Sequence, residues 1–500
     1  MRSLFRFALT FALSWTLVVG LATSAGAVEP GRLAERARLV GFEVGTGGLN
    51  KHLDDARREV VALEFTSATP ENALKWRSLS AAPGVYDFSV ADELVEFAEQ
   101  SGLRIRGHTL FWHRLNGMPA WLEGEVTSAP DPAARLAELM EDHATTVVER
   151  YAGRLAHWDV VNEPLALLSG GFDPGNFFFQ VLGESWLDIA FHSAHAADPE
   201  ALLFLNETAT EVIPAKFDGL VRLVEDMLAR GVPVHGVGLQ GHIFFGPPDP
   251  VILRDQLERI AALGLIVELT ELDIPLPLFV NEPDPLGAQA KAYADVFAAC
   301  LAVPACTGIT VWGVDDSRTW LDTFFLTRAN APNRPLLFDE ELRPKPAYHA
   351  VVAELELLIE PVDLDVKPES GTNHINLSSR GVIPVAILGS PALDVYDIDP
   401  DTLGFGPAHA RIAHKKDPHY RDVDDDGAID LMAHFRTSET GIEAGDVEVC
   451  VSGRTEDGSA FEGCDPIITN AKQRACGIGW ELAFVVPLLG RTLRRFTASR

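Results

Sequence analysis

The sequence predicts an α/β chain in which a (β/α)8 barrel is followed by a small all-β domain. Its 500 residues are too many for one average domain. Between residue 28 and about residue 360, eight apolar β-like segments alternate with longer amphipathic ones, a pattern typical of parallel strands joined by crossover helices. From residue 361 the helical periodicity stops, and short β-like runs alternate with turns rich in Asp, Gly and Pro.

Composition limits the classes of partner. The chain has 41 Lys and Arg against 72 Asp and Glu, a formal net charge of −31. This charge repels phosphate backbones and anionic headgroups, so it argues against nucleic acid and membrane surfaces and favours hard cations such as Ca²⁺. The contents of hydrophobic residues (47%) and charged residues (23%) are ordinary for a folded soluble protein.

Residues 1–27 have the pattern of a signal peptide. Arg2 and Arg6 precede an apolar run from Phe7 to Leu21, and Ala25-Gly26-Ala27 follows as a small-residue cleavage site. An N-terminal membrane anchor is the alternative, and the short run disfavours it. We therefore expect cleavage before Val28 and an exported protein, in which disulfides can form.

The barrel is predicted from its strands. The β-like segments are Leu39–Gly45, Glu59–Phe65, Arg104–Leu110, Ala156–Val161, Ala201–Leu205, Val234–Leu239, Leu265–Leu269 and Gly308–Gly313. Helical patterns cover Val90–Ser101, Pro132–Tyr151, Lys216–Arg230, Pro250–Leu263 and Pro285–Leu301.

Polar or aromatic residues stand where the predicted strands end, at Glu64, His108, Asn162-Glu163, Asn206-Glu207, Gln240, Glu271 and Trp312. In (β/α)8 barrels this rim carries the active site. Two glutamates across one barrel mouth suit glycoside hydrolysis, in which one carboxyl protonates the leaving oxygen and the other attacks the sugar carbon. His242 shares a strand face with Gln240, and it could keep the attacking carboxylate ionised by donating a hydrogen bond.

Seven segments of the barrel resemble the motifs of one family, the family 10 glycoside hydrolases, which are retaining endo-1,4-β-xylanases. They are Thr-Pro-Glu-Asn-Ala-Leu-Lys-Trp (69–76), Arg-Gly-His-Thr-Leu-Phe-Trp-His (106–113), Trp-Asp-Val-Val-Asn-Glu (158–163), Gly-Val-Gly-Leu-Gln-Gly-His (236–242), Glu-Leu-Thr-Glu-Leu-Asp-Ile (268–274), Val-Trp-Gly-Val-Asp-Asp-Ser-Arg-Thr-Trp (311–320) and Pro-Leu-Leu-Phe-Asp (335–339). The resemblance extends over nearly all of residues 30–350. It differs at the fifth strand end, where the family reads Asn-Asp-Tyr-Asn and this chain reads Asn206-Glu207-Thr208-Ala209. The missing tyrosine should weaken sugar stacking on the leaving-group side.

The resemblance implies Glu163 as acid/base and Glu271 as nucleophile, acting on xylan or xylo-oligosaccharides without a cofactor, in a monomer. It implies sugar contacts from Glu71, Asn72, Lys75, His108, Trp112, Asn162, Gln240, His242, Trp312 and Trp320. Asp273 and His113 are expected to contact these residues and not the sugar. Two alternatives remain. One is another β-1,4-glycanase, acting on cellulose or mixed-linkage glucan, which needs room for a C6 hydroxymethyl group near Lys75. The other is a non-catalytic glycan-binding surface protein, against which the intact Glu163 and Glu271 argue.

The predicted domains are the signal peptide (1–27), the catalytic barrel (28–360), an acidic β-sandwich-like module (361–470) and a C-terminal tail (471–500). In the module, Asp422, Asp424, Asp426 and Asp430 are spaced like the start of an EF-hand loop, but the twelfth position is Ala433. A shorter loop that binds a structural Ca²⁺ is therefore predicted, with a solvated acidic turn as the alternative. Residues 363–388 resemble a module appended to bacterial exported proteins; the few aromatic residues favour a spacer or display role over sugar binding.

The cysteines and the tail complete the prediction. Pairing Cys300 with Cys306 and Cys450 with Cys464 is the economical arrangement, although spacing alone does not fix it. The Cys300/Cys306 loop also resembles one in bacterial members of the family. Cys476 is left over, at the head of a short apolar segment that ends in Arg491, Arg494 and Arg495. This tail resembles bacterial sorting signals, which implies a secreted protein held at the cell envelope; a docking helix is the alternative.

Overall fold

The computed structural model describes residues 32–324, 332–368, 370–414 and 418–469. The predicted signal peptide, the predicted tail and Cys476 lie outside these residues, so their roles stay predictions. The chain divides into two compact units between Glu356 and Leu357. Among the described helices, none is both long enough and apolar enough to cross a bilayer.

The first unit is a closed barrel of eight parallel strands. In chain order, β1 to β8 are Glu43–Leu49, Ser67–Pro70, Arg104–Trp112, His157–Asn162, Leu202–Glu207, Gly236–Leu239, Ile266–Leu272 and Cys306–Val311. Each strand pairs with its sequence neighbours, and β8 pairs with β1, where Val44 lies opposite Ile309, to close the sheet. The predicted (β/α)8 fold is confirmed.

Helices connect the strands around the barrel. They are Arg32–Val40, Asp55–Glu64, Trp76–Leu79, Ser89–Gln100, Leu122–Thr127, Pro132–Arg150, Phe177–Leu182, Ser185–Ala197, Pro214–Ala229, Pro250–Ala261, Pro285–Leu301, Leu321–Phe324 and Pro346–Glu356, with a 3₁₀ turn at Leu276–Phe279 and a small hairpin of Ser80–Ala82 and Val85–Tyr86. Three of these helices begin at an Asp-Pro pair, at Asp131, Asp249 and Asp284. Each aspartate accepts a hydrogen bond from the first turn, and the proline has no N–H that would need a partner there.

The barrel strands are buried on both faces and pack tightly. All six residues of β4 are buried. A Cβ at Gly107 would lie 2.2 Å from Trp158, and one at Gly236 would lie 2.3 Å from Phe204. These glycines therefore let large side chains of neighbouring strands fill the barrel interior.

Two strand predictions need correction. Leu39–Gly45 overlaps β1 only from Glu43 onward, because the residues up to Val40 belong to the helix Arg32–Val40. Glu59–Phe65 lies mostly in the helix Asp55–Glu64, where the Asp54 side chain caps the first turn by accepting from the Arg57 N–H. The second barrel strand is instead Ser67–Pro70, and Glu64 accepts a hydrogen bond from the Tyr348 hydroxyl (2.8 Å). Short apolar runs do not distinguish a strand from a buried helix face, and the Asp54 cap was the missed signal.

The second unit is all-β, as predicted. One sheet has the strand order Ile359–Pro361, Ala460–Pro466, Glu448–Thr455, Ile398–Phe405, and the other has the order Leu364–Val366, Val382–Ile387, Asp430–Arg436, His419–Arg421. His374–Ile375 and Ile468–Thr469 form a short extra pair, and 3₁₀ turns lie at Val395–Asp397 and Thr437–Glu439. Side chains of both four-stranded sheets, including Phe405 and Phe435, share one apolar core.

Both predicted disulfides are present. Cys300 bonds to Cys306 between the helix Pro285–Leu301 and β8, and Cys450 bonds to Cys464 across two paired strands of the second unit.

Candidate active site

The carboxyl ends of β4 to β7 bring the two predicted catalytic glutamates to one rim. The main chain continues the sheet there, because the Glu163 N–H donates to the Asn206 carbonyl (2.9 Å). The Gln240 N–H donates to Glu207 (2.9 Å), and the Glu271 N–H donates to Gln240 (2.7 Å). The side chains at these positions are therefore held on rigid strand ends, which suits a site that must keep its geometry.

A chain of hydrogen bonds joins the two carboxylates. Gln240 Nε2 donates to Glu163 Oε1 (3.1 Å) and lies 3.2 Å from Asn162 Oδ1, which is its second acceptor. Asn206 Nδ2 donates to the same Asn162 oxygen (2.9 Å) and to Glu271 Oε1 (2.7 Å). The amides thus fix the distance and the orientation between Glu163 and Glu271.

The other oxygen of Glu271 faces a charged histidine. His242 Nε2 lies 3.2 Å from Glu271 Oε2, and His242 Nδ1 lies 3.0 Å from Asp273 Oδ2. Burial alone would lower the pKa of His242, but Asp273 and Glu271 together raise it to about 10. Burial likewise would raise the pKa of Glu271, but the charge of His108 and the hydrogen bond from His242 lower it below its usual value. Glu271 is therefore a carboxylate at neutral pH, as a nucleophile must be.

Glu163 has a different setting. Its φ of 54° lies in the left-handed region, which costs about 1–2 kcal/mol for a residue with a Cβ and persists only where the surroundings impose it. Arg114 Nε lies 3.7 Å from Glu163 Oε2, and the same guanidinium pairs with Asp173 (3.0 Å). His113 Nε2 contacts that aspartate as well (3.2 Å). His113 therefore acts on the site through Asp173.

Lys75 brings a second set of groups to the site. Its ammonium donates to Asn72 Oδ1 (2.9 Å) and lies 4.8 Å from the centre of the Trp112 ring. Burial lowers the pKa of Lys75, and the carboxylates of Glu71 and both predicted catalytic glutamates oppose that effect. Lys75 is thus a buried amine with three carboxylates near enough to affect its pKa.

Two cavities that share part of their lining lie beside several of the predicted sugar-binding residues. One of about 570 Å³ is lined by Glu71, Trp312 and Trp320, and one of about 470 Å³ by Glu71 and Asn72; both include Asn50. The Trp320 indole N–H donates to Asp273 (2.8 Å), which fixes the ring beside His242. Indole faces and convergent polar groups in a cavity of this size can hold sugar rings.

A buried ionic network supports the rim from below. Arg106 pairs with Asp159 on β4 (2.5 Å) and with Glu268 on β7 (2.7 Å). Asp159 Oδ2 also lies 2.9 Å from His108 Nδ1, and His108 packs edge-to-face with Trp312. This network links three strands that carry site residues.

The structure thus brings the predicted barrel residues into one connected set. The predictions placed Asn206 at a strand end without giving it a role, and they did not include Asp159 or Arg114. Asn206 occupies the same strand-end position as Asn162, and this could have indicated its role. Asp159 and Arg114 act through residues distant in sequence, which no local pattern indicates.

The predicted metal loop lies in the second unit. Asp422, Asp424 and Asp426 each offer a carboxylate oxygen within 4.8 Å of the other two. The fourth predicted ligand, Asp430, uses its carboxylate to accept from the Gly389 N–H (2.8 Å) and the Val423 N–H (2.7 Å). The structure therefore groups three of the four aspartates, and oxygen ligands of this kind are what Ca²⁺ prefers.

Comparisons with known proteins identify the family of the barrel and agree with its fold. The model of Glycosyl hydrolase family 10 matches residues 32–354. The Beta-1,4-xylanase of Dictyoglomus thermophilum is 38% identical over 297 residues, 58% of this chain and 81% of that protein. Endo-1,4-beta-xylanase B of Thermotoga neapolitana is 35% identical over 340 residues, 67% of this chain and 94% of that protein. Among solved structures, xylanase 10B of Thermotoga maritima has a TM-score of 0.60 and 36% identity, covering 65% of this chain and 98% of that one. Xylanase 10B of Thermotoga petrophila, in complex with xylobiose, has a TM-score of 0.60 and 35% identity, covering 66% of this chain and 99% of that one. The chain belongs to glycosyl hydrolase family 10.

Proposed function

We propose that this protein is an endo-1,4-β-xylanase that hydrolyses internal bonds of xylan with retention, with Glu163 as acid/base and Glu271 as nucleophile. The observation that carries the proposal is the chain of side-chain amides that joins the two carboxylates. Of these two carboxylates, Glu271 is the one that also pairs with the His242 imidazolium. Membership of family 10 and the similarity to the xylanases of Dictyoglomus thermophilum and Thermotoga neapolitana support xylan as the substrate.

The reaction proceeds in two displacements. In the first, a Glu271 oxygen bonds to the anomeric carbon, the glycosidic C–O bond breaks, and Glu163 gives its proton to the leaving oxygen. In the second, Glu163 takes a proton from water, whose oxygen attacks the same carbon and releases Glu271. This chemistry needs two carboxyl groups about 5–5.5 Å apart and no cofactor; a separation beyond about 6.5 Å would rule out retention.

The test is release of reducing sugars from glucuronoxylan and from carboxymethyl cellulose. We expect the full chain to act on xylan, Glu271→Gln to lose at least about 10³-fold in rate, and the exposed control Glu282→Gln to keep the wild-type rate. Release from the cellulose derivative would favour the broader β-1,4-glycanase. Unchanged activity in Glu271→Gln would refute the proposed nucleophile.

We also propose that the protein is exported and held at the cell envelope, with the second unit as a spacer or display module. The support is the signal-peptide pattern of residues 1–27 and the sorting-like tail 471–500. Fractionation of expressing cells should place the full chain in the envelope, and a chain ending at Asn470 in the medium. Equal release of both chains into the medium would contradict attachment through the tail.

We further propose that Asp422, Asp424 and Asp426 hold a structural Ca²⁺. Their clustered oxygens support this, as does Asp422 Oδ1, which is buried without a hydrogen-bond partner among the described residues. Replacing Ca²⁺ with EGTA should lower the melting temperature of the second unit. Asp424→Asn should abolish that difference, whereas Asp425→Asn, in the same exposed loop but outside the cluster, should preserve it. A melting temperature independent of Ca²⁺ in the wild type would refute the site.

A further inference from the structure

A buried ion pair lies beneath the segment that follows Glu163. Glu207 ends β5, and Lys216 lies in the first turn of the helix Pro214–Ala229; both residues are 0% exposed. Lys216 Nζ lies 2.8 Å from Glu207 Oε1. Burying two charges is costly, and a pair of this kind is weak evidence for stability alone, so its contacts point to its role.

The Glu207 carboxylate holds the main chain near the acid/base. Its Oε2 accepts from the Leu165 N–H (3.0 Å), and its Oε1 accepts from the Thr208 N–H (2.9 Å). Pro164 has no N–H, so Leu165 supplies the first donor after Glu163. On the other side, the Glu163 N–H donates to the carbonyl of Asn206, the residue next to Glu207. Asn206 and Glu207, two successive residues of β5, thus hold the main chain by hydrogen bonds at Glu163 and at Leu165.

The backbone conformation of Glu163 requires such hydrogen bonds. Its left-handed backbone conformation is disfavoured for a side chain with a Cβ, and it persists only where surrounding contacts impose it. A relaxed backbone here would swing the Glu163 carboxyl away from the leaving oxygen.

We propose that Glu207, neutralised by Lys216, is a positioning residue that fixes the backbone of Glu163 for proton delivery. The inference rests on the proposed function and deepens it. Glu207 is fully buried, so it acts through the Leu165 N–H and not by binding a sugar.

The contribution of proton delivery to catalysis can be measured by comparing substrates whose leaving groups differ in their need for a proton. A phenyl β-xylobioside has a poor leaving group that needs protonation, whereas a 2,4-dinitrophenyl β-xylobioside leaves as a stable anion without it. A misplaced Glu163 therefore lowers kcat/KM for the phenyl substrate and spares kcat/KM for the dinitrophenyl one. Glu163→Gln should show the extreme form of this selectivity.

Two double variants isolate the contact. The first variant, Glu207→Gln with Lys216→Met (the Gln pair), keeps a carbonyl acceptor for the Leu165 N–H. The second variant, Glu207→Ala with Lys216→Met (the Ala pair), removes that acceptor. Both variants are uncharged at these two positions. We expect the Ala pair to lose about 10- to 100-fold in kcat/KM on the phenyl substrate and less than about threefold on the dinitrophenyl one. The Gln pair should recover most of the phenyl rate.

A second buried pair is the matched control. Lys345 Nζ lies 2.7 Å from Asp316, whose carboxylate accepts from the Leu336 N–H (2.8 Å). Asp316→Ala with Lys345→Met should destabilise the barrel without changing the ratio of the two rates. If the Ala pair does not fold, Glu207→Asp, shorter by one methylene, should show about a tenfold selective loss.

Two outcomes would overturn the inference: equal losses on both substrates, or identical behaviour of the Gln and Ala pairs. A wild-type enzyme that cleaves neither xylobioside would instead refute the proposed function.

Discussion

His242 is the residue that sets the charge of the nucleophile. It stands between Glu271 and Asp273, and the two carboxylates keep it protonated against the effect of burial, with a pKa of about 10. The imidazolium in turn stabilises the ionised form of Glu271. The ionised states of His242 and Glu271 therefore stabilise each other.

The activity of His242→Gln should show this coupling in its pH dependence. Glutamine can still donate a hydrogen bond to Glu271, but it carries no charge, so the pKa of Glu271 should rise. The acid limb of kcat/KM on xylan should then move to higher pH, because the nucleophile becomes protonated earlier on acidification. A pH profile measured from about pH 3 to pH 8 checks this; an unmoved acid limb would contradict the role given to the histidine.

Stability should also depend on His242, in a separate pH window. An unfolded histidine has a pKa of about 6.5, so between about pH 6.5 and pH 10 the folded protein holds a proton that the unfolded chain releases. The contribution is complete below about pH 6.5 and is lost as pH rises through about 10. The free energy of unfolding of the wild type should therefore fall by a few kcal/mol relative to His242→Gln across this window. Urea denaturation at pH 6, 8 and 10 measures it, and a constant difference would refute it.

The two glutamates and Gln240 were predictable from the sequence because each stands where an apolar strand ends. Asn206 also stands where a strand ends, but its contact with Glu271 was not predictable, because the Thr270 hydroxyl donates to Asn206 Oδ1 (2.6 Å) and so directs the amide N–H groups toward Glu271. An orientation that a neighbouring strand sets leaves no local sequence signal.

At the scale of the elements, β1 and β2 show where strand prediction fails. β1 contains Gly47 and Gly48, residues with little strand propensity. A Cβ on Gly47 would lie 2.1 Å from the Trp312 ring, and one on Gly48 would lie 2.7 Å from Val314. Gly47 and Gly48 are required in β1 because Trp312 and Val314, just after β8, pack directly on this part of its backbone. The helices were easier to predict because their signals, Asp-Pro starts and apolar periodicity, are local.

A similar close approach makes Gly219 a test of helix packing. Alanine normally favours a helix over glycine, but a Cβ at Gly219 would lie 2.2 Å from the Gly170 Cα, in the segment after Glu163. We expect Gly219→Ala to destabilise the protein by about 1–3 kcal/mol. Gly124→Ala, in a helix where nothing lies within 4 Å, should stabilise it by about 0.5–1 kcal/mol. The free energies of unfolding of both variants, measured with denaturant, test these two predictions. If both substitutions stabilise the protein, the helix has room for a methyl group beside Gly170 and the prediction for Gly219 is wrong.

At the scale of the whole molecule, the alternation of strand and helix patterns was enough to predict the barrel and an all-β second domain. One wrong strand (β2) and one displaced strand (β1) did not change the predicted topology, because the other units impose the closed sheet. The barrel residues of the site lie between Asn50 and Trp320, and the core of the first unit ends at Leu355. The second unit has its own core, from Leu364 to Ile467.

Separate cores predict that catalysis belongs to the first unit alone. A chain of residues 28–358 keeps every described site residue and stops before the strand Ile359–Pro361, which pairs within the second unit. Its kcat/KM on soluble glucuronoxylan should lie within about twofold of that of the full chain, and its melting curve should keep one transition where the full chain shows two. Glu271→Gln in both lengths is the control, since it should remove activity from each. A folded short chain that loses more than about tenfold in kcat/KM would show that the second unit takes part in catalysis, because the site residues themselves are unchanged.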